Sequence, residues 1–126
     1  MKKCLALKKR ESRVNGVLVS CLLTPPETPI FTYPPRTGRW VNSIASPDRY
    51  KFDVDGFRTK TKEQVKKEVF SMTKIRFRVA RTLIKEIEWD LFVLVEVGLD
   101  RLLHRFLRDA TGTGDARYSK LCSSKT

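Results

Sequence analysis

The sequence predicts an α/β chain: a partial open sheet with a long amphipathic helix, a buried core strand and a short following helix, preceded by an extended Pro-rich arm. Three observations carry that expectation. Apolar residues recur at three- and four-residue steps from Val65 to Ile87, the period of one helix face. The unbroken apolar run Leu91-Phe92-Val93-Leu94-Val95 follows at once, and such a run reads as a central parallel strand covered on both faces. Upstream, Pro25, Pro26, Pro29, Pro34 and Pro35 forbid a helix and interrupt sheet pairing.

Composition bounds the rest. The chain has 126 residues, 40% of them hydrophobic and 10% aromatic, which is enough apolar material to fold and room for one domain. Lys and Arg number 26 against 14 Asp and Glu, so the formal net charge is +12. No apolar run approaches the roughly 20 residues that span a bilayer, which excludes a membrane-spanning protein. A coiled coil, a collagen and a multidomain enzyme are excluded with it. The expected organisation is a basic arm over residues 1–13, a partial α/β domain over 14–108 and a flexible tail over 109–126 rich in Thr, Gly, Ser and Lys. The arm's apolar stretch Cys4-Leu5-Ala6-Leu7 is too short for a secretory signal. Cys4, Cys21 and Cys122 are odd in number and far apart, which supports neither a disulfide framework nor a zinc knuckle and points to a reducing cytoplasm.

The elements follow in order. Val17-Leu18-Val19-Ser20-Cys21-Leu22-Leu23, after Asn15-Gly16, reads as a short buried strand. The Pro-rich stretch is an extended or turn-rich loop, with Phe31, Tyr33 and Trp40 available to pin it to a surface. Asp53-Val54-Asp55-Gly56 is a turn signal. It also resembles the start of a calcium loop, but the ligand Glu expected six residues after the Gly is Lys62 here. Thr61 and Gln64 form a capping box, in which the two side chains satisfy each other's backbone N–H groups. The helix that begins there should run about seven turns, with Val65, Val69, Met72, Ile75, Val79, Leu83 and Ile87 on its apolar face. Lys66, Lys67, Lys74, Arg78, Arg81 and Lys85 occupy the opposite face. Gly98 ends the strand, and a second helix begins near Asp100 with Leu102, Leu103, Phe106 and Leu107 apolar. One buried strand needs two neighbours, and residues 17–23 supply only one.

Asp100 and His104 hold the most informative chemistry. They lie just beyond the carboxyl end of the expected strand, where ligands gather in open α/β sheets. Four residues apart on a helix, a carboxylate and an imidazole share a face and can chelate one divalent metal. Asp100 as a helix N-cap beside a surface His104 fits the same spacing.

Six segments occur in one order: Arg13-Val14-Asn15-Gly16-Val17-Leu18-Val19-Ser20, Phe31-Thr32-Tyr33-Pro34-Pro35, Ser46-Pro47-Asp48-Arg49-Tyr50, Asp53-Val54-Asp55-Gly56-Phe57, Trp89-Asp90-Leu91-Phe92, and Val95-Glu96-Val97-Gly98-Leu99-Asp100-Arg101. Together they resemble an internal part of the phosphohydrolase/phosphomutase branch of the alkaline phosphatase superfamily, relatives of type I phosphodiesterases and nucleotide pyrophosphatases. The resemblance implies a central mixed sheet and metal-dependent phosphoester hydrolysis at two divalent metals, zinc or manganese. It makes Asp100 and His104 the counterparts of the family's Asp-x-x-x-His metal ligands. Leu103 stands where the family often has a second His. The family's amino-terminal metal-binding Asp and nucleophile have no counterpart, and neither does its later Ser-Asp-His-Gly segment, because His104 is the only His. The expectation is therefore a truncated phosphohydrolase-like protein, inactive alone, that self-associates through an unpaired sheet edge.

A different class remains open. The basic helix face suits phosphate backbones and makes a small nucleic-acid-binding or protein-interaction module the alternative, with weak, non-specific nucleic-acid binding. The same charges also suit a merely solvated face.

Overall fold

The computed structural model describes residues 15–110, with side-chain surroundings through residue 107. The expected basic arm and most of the expected tail, with Cys4 and Cys122, lie outside the described residues. The chain is mixed α/β: β1 (Leu18–Val19), β2 (Thr32–Tyr33), α1 (Thr37–Ala45), α2 (Lys62–Glu86) and α3 (Gly98–Ala110).

The long helix α2 organises everything else. Thr61 Oγ1 accepts from Gln64 N at 3.3 Å and Gln64 Oε1 accepts from Thr61 N at 3.1 Å, so the capping box is closed in both directions. Its 25 residues bury Val65, Val69, Met72, Ile75, Val79 and Leu83, and Ile87 is the C-cap. Two apolar clusters lie along that stripe. Val79 and Leu83 pack with Phe31, Val41 and Phe52. Val65, Val69 and Met72 pack with Val54 and Val97, and with Leu102 of α3.

Three elements correct the sequence reading. The expected strand over residues 17–23 is only two residues long and half-buried. It pairs antiparallel with β2, Leu18 opposite Tyr33 and Val19 opposite Thr32, inside the stretch where prolines were expected to interrupt pairing. Both strand residues precede Pro34, so no proline occupies the ladder. The peptides before Pro34 and Pro47 are cis. The chain then turns into α1, a helix the Pro-rich reading did not anticipate. Val41 and Ala45 are fully buried on it, so Trp40 lies on a helix and not in a loop. Phe31 is likewise buried, stacked on Tyr50 with ring centroids 6.1 Å apart.

The third correction is the largest. Residues 91–95 were expected to form a buried parallel strand. They are extended but belong to no sheet, and Leu91, Val93 and Val95 are 80%, 73% and 60% exposed. Among the described residues the sheet has two strands, and no third strand stands beside residues 91–95 to complete a ladder. Side chains hold the segment instead. Arg76 Nη1 donates to Val95 O at 3.2 Å, and Trp89 Nε1 donates to Ile84 O at 3.1 Å. Phe92 alone of the five packs against the first cluster.

α3 then runs against the amino-terminal half of α2. At Gly98 the helices approach so closely that a Cβ would fall within contact distance of Thr73 Oγ1, Glu96 Oε1 and Val69 Cγ1. Only glycine fits there.

Candidate functional site

The first two turns of α3 carry the sequence-predicted pair. His104 Nε2 lies 3.4 Å from Asp100 Oδ1, one helical turn away, and both side chains are more than half exposed. Asp100 Oδ2 accepts from Arg101 Nη1 at 3.1 Å. The structure thus brings the two expected ligands together. Asp100 is inside the helix, so the N-cap alternative does not describe its position.

The separation has chemical meaning. Two ligand atoms at about 2.0–2.2 Å from a tetrahedral ion stand roughly 3.3–3.5 Å apart. The Asp100–His104 distance fits one edge of such a site. The donor set stops there: among the described residues no group of three or more His, Cys, Asp or Glu side chains converges. The pair fits two corners of a metal site.

What positions α3 was not foreseen. Arg101 grips Asp53 through two bonds, Nε to Oδ1 at 2.7 Å and Nη2 to Oδ2 at 2.6 Å. Its guanidinium also lies 4.5 Å from the Phe57 ring centroid. The Asp53 hydrogen bonds and charge hold the Arg101 pKa above its ordinary value, against the opposing effect of burial. The turn at Gly56, whose φ is +61°, delivers Asp53 and Phe57 to this pairing. Arg105 Nη2 adds a bond to Lys60 O at 3.0 Å.

The second unforeseen group is Arg76, 3% exposed at a core position of α2. It donates to Lys51 O at 3.3 Å, to Phe52 O and to Val95 O, tying three parts of the chain together. Its spacing of four from Met72 and three from Val79 was a readable signal, since an arginine within an apolar stripe needs buried carbonyl partners. Glu96 does the same for the start of α3: Oε1 accepts from Thr73 Oγ1 at 3.0 Å and from Gly98 N at 2.6 Å. Tyr50, beside Arg76, has its pKa pushed up chiefly by burial, with Arg76 pulling the other way.

The basic face of α2 is real but not uniform. Lys66, Lys67, Lys74, Arg81 and Lys85 are exposed. Arg78 is half-buried, and its Nη1 donates to Ile44 O at 3.3 Å and Ser46 O at 3.2 Å, so it secures the end of α1. Phe70 and Phe77, 59% and 43% exposed, stand among the lysines, which brings aromatics to this face that the sequence reading had placed only in the loop.

No helix among the described residues is long and apolar enough to cross a membrane. No family model matches the chain, and the searches of curated proteins and of solved structures found no match either.

Proposed function

We propose that this chain is an incomplete phosphohydrolase-like protein of the alkaline phosphatase superfamily, inactive alone. Asp100 and His104 are two ligands of a divalent-metal centre whose other ligands and nucleophile come from elsewhere. The observation that carries this reading is the 3.4 Å separation of Asp100 Oδ1 and His104 Nε2 directly after an extended apolar segment. A bound zinc or manganese ion would polarise a phosphoryl group and stabilise its developing charge. On this reading the protein is cytoplasmic, has no membrane partner and self-associates through residues 91–95. Titration with zinc, followed by isothermal calorimetry, should show weak one-to-one binding that is lost in Asp100→Ala and in His104→Ala. Nitrophenyl phosphate mono- and diesters should not be hydrolysed. Zinc binding that survives His104→Ala would refute the ligand assignment. Turnover that co-purifies with the chain and disappears in that variant would refute the incompleteness.

A second reading is favoured by one observation, the exposed lysines interleaved with Phe70 and Phe77. Stacking of bases on such rings beside phosphate-neutralising lysines is the chemistry of single-strand binding. Weak, sequence-insensitive binding that falls steeply with salt is expected. A sequence-selective complex that survives physiological salt would make this reading the principal one.

A further inference from the structure

A groove of about 210 Å³ separates residues 17–21 from residues 91–95, with Tyr50, Arg76, Val79 and Leu83 among its floor residues. All five residues of 91–95 line it. Alternate side chains of an extended chain point to opposite faces, so five consecutive residues border the groove along their backbone edge. Val17 and Val19 line the other wall. Ser20 N donates to Phe31 O, which turns the backbones of Leu18 and Ser20 towards β2 and those of Val17 and Val19 towards the groove. No N–H of residues 91–95 is hydrogen-bonded within the described chain, and of their carbonyls only that of Val95 is. Two open strand edges therefore face one gap floored by Tyr50, Arg76, Val79 and Leu83, and only an extended backbone can serve both.

We propose that the occupant is the same segment of a second copy: two chains interlock, each laying residues 91–95 into the other's groove. The segment is the one described run with the required properties, extended, apolar and open along its backbone. The combined order across the pair is β2, β1, the partner's 91–95, this chain's 91–95, the partner's β1 and the partner's β2. With the twofold axis along the strands, the two α2 helices fall on opposite faces. Leu91, Val93 and Val95 then rest on the partner's groove floor while Phe92 stays on its own core. Both faces of the apolar run are covered, as its composition demands, and the interface is self-complementary. Inserting about 17 Å of strand and receiving another buries on the order of 700 Å² per copy, close to the roughly 800 Å² per partner of a stable interface. Each copy carries +12, so the pair must overcome mutual repulsion. Screening within about 8 Å at physiological ionic strength weakens that repulsion, and added salt strengthens association.

This geometry rests on the self-association in the reading above and is independent of the metal ligands. The test is run in EDTA for that reason. In a Cys4→Ser/Cys122→Ser background, Leu91→Cys, Val93→Cys and Val95→Cys are made one at a time, all at exposed positions. Neighbouring strands are about 4.8 Å apart, within disulfide reach, and a bond between copies, unlike one within a copy, yields a covalent dimer on a non-reducing gel. Mild oxidation should join Cys21 of one copy to the introduced cysteine of the other in at least one variant, seen as a covalent dimer on a non-reducing gel whose linked peptides are assigned by mapping that band. The unmodified chain should sediment as a dimer at micromolar concentration, more completely at 300 mM than at 50 mM salt. A monomer at 100 μM overturns both self-association and interlocking. A dimer that never links Cys21 between copies overturns the interlocking alone.

Discussion

The apolar stripe of α2 and the apolar run that follows it are alike in composition and opposite in fate. Val65 and Met72 are fully buried, and Val69 and Val79 nearly so. Leu91, 12 residues past Val79, is 80% exposed. The difference lies in where each element's partners come from. A helix satisfies its own backbone and needs only one covered face, which α1, α3 and the residue 50–54 segment provide. A strand needs neighbours for both edges, and here those neighbours are not within the described chain. Local pattern is therefore sufficient for α2 and insufficient for residues 91–95.

Substitutions measure that contrast. Met72→Ala leaves a cavity in a packed cluster and should cost about 2–5 kcal/mol, read as a lower denaturation midpoint at unchanged slope. Leu91→Ala under the same dilute conditions should stay within about 0.5 kcal/mol of the parent, as for other exposed positions. Equal costs would erase the distinction between the two regions.

A smaller loss is expected at the pairing that sets α3. Asp53→Ala strands a mostly buried guanidinium and should cost roughly 2–3 kcal/mol. The accompanying loss of α3 helicity should appear in circular dichroism. An unchanged melt would mean that the Leu102 contact alone positions the helix.

Thr61→Ala opens the capping box and should cost about 1 kcal/mol. That loss should be the same whether or not the chains associate, because the capping box at the start of α2 lies wholly within one chain. A concentration-dependent cost would blur the line between the self-sufficient helix and the dependent strand.

The alkaline limb gives the smallest effect. Burial raises the Tyr50 pKa above 10.0, so the folded state favours the protonated phenol. The corresponding stability is fully present below pH 10 and is lost as pH climbs through the raised value. Tyr50→Phe should flatten the fall in stability above pH 10 and leave neutral stability nearly unchanged. An identical alkaline slope in the variant would remove Tyr50 from the account.

Much of this was legible in the sequence, and the limits have physical causes. The capping box, the α2 stripe, the turn at Gly56 and the helix carrying Asp100 and His104 all arise from residues within a few positions of each other. The helix α1 was also local, but the prolines that end just before it masked the Trp40, Val41, Ile44 and Ala45 spacing. Arg76 and the Asp53–Arg101 pair join residues 19 to 48 positions apart, and no periodicity reports such a pairing. The state of residues 91–95 was least legible of all, because a strand's burial is decided by what lies beside it.

Residue-resolved amide hydrogen exchange on the full chain tests the central claim directly. At a dilution where the chain is monomeric, the amides of Met72 and Val79 should be protected close to the global limit, while those of residues 91–95 exchange almost as in an unfolded peptide. Raising the concentration should slow residues 91–95, Val17 and Val19 together. Protection of residues 91–95 in the monomer would show that the chain already covers its own strand, and would contradict the account.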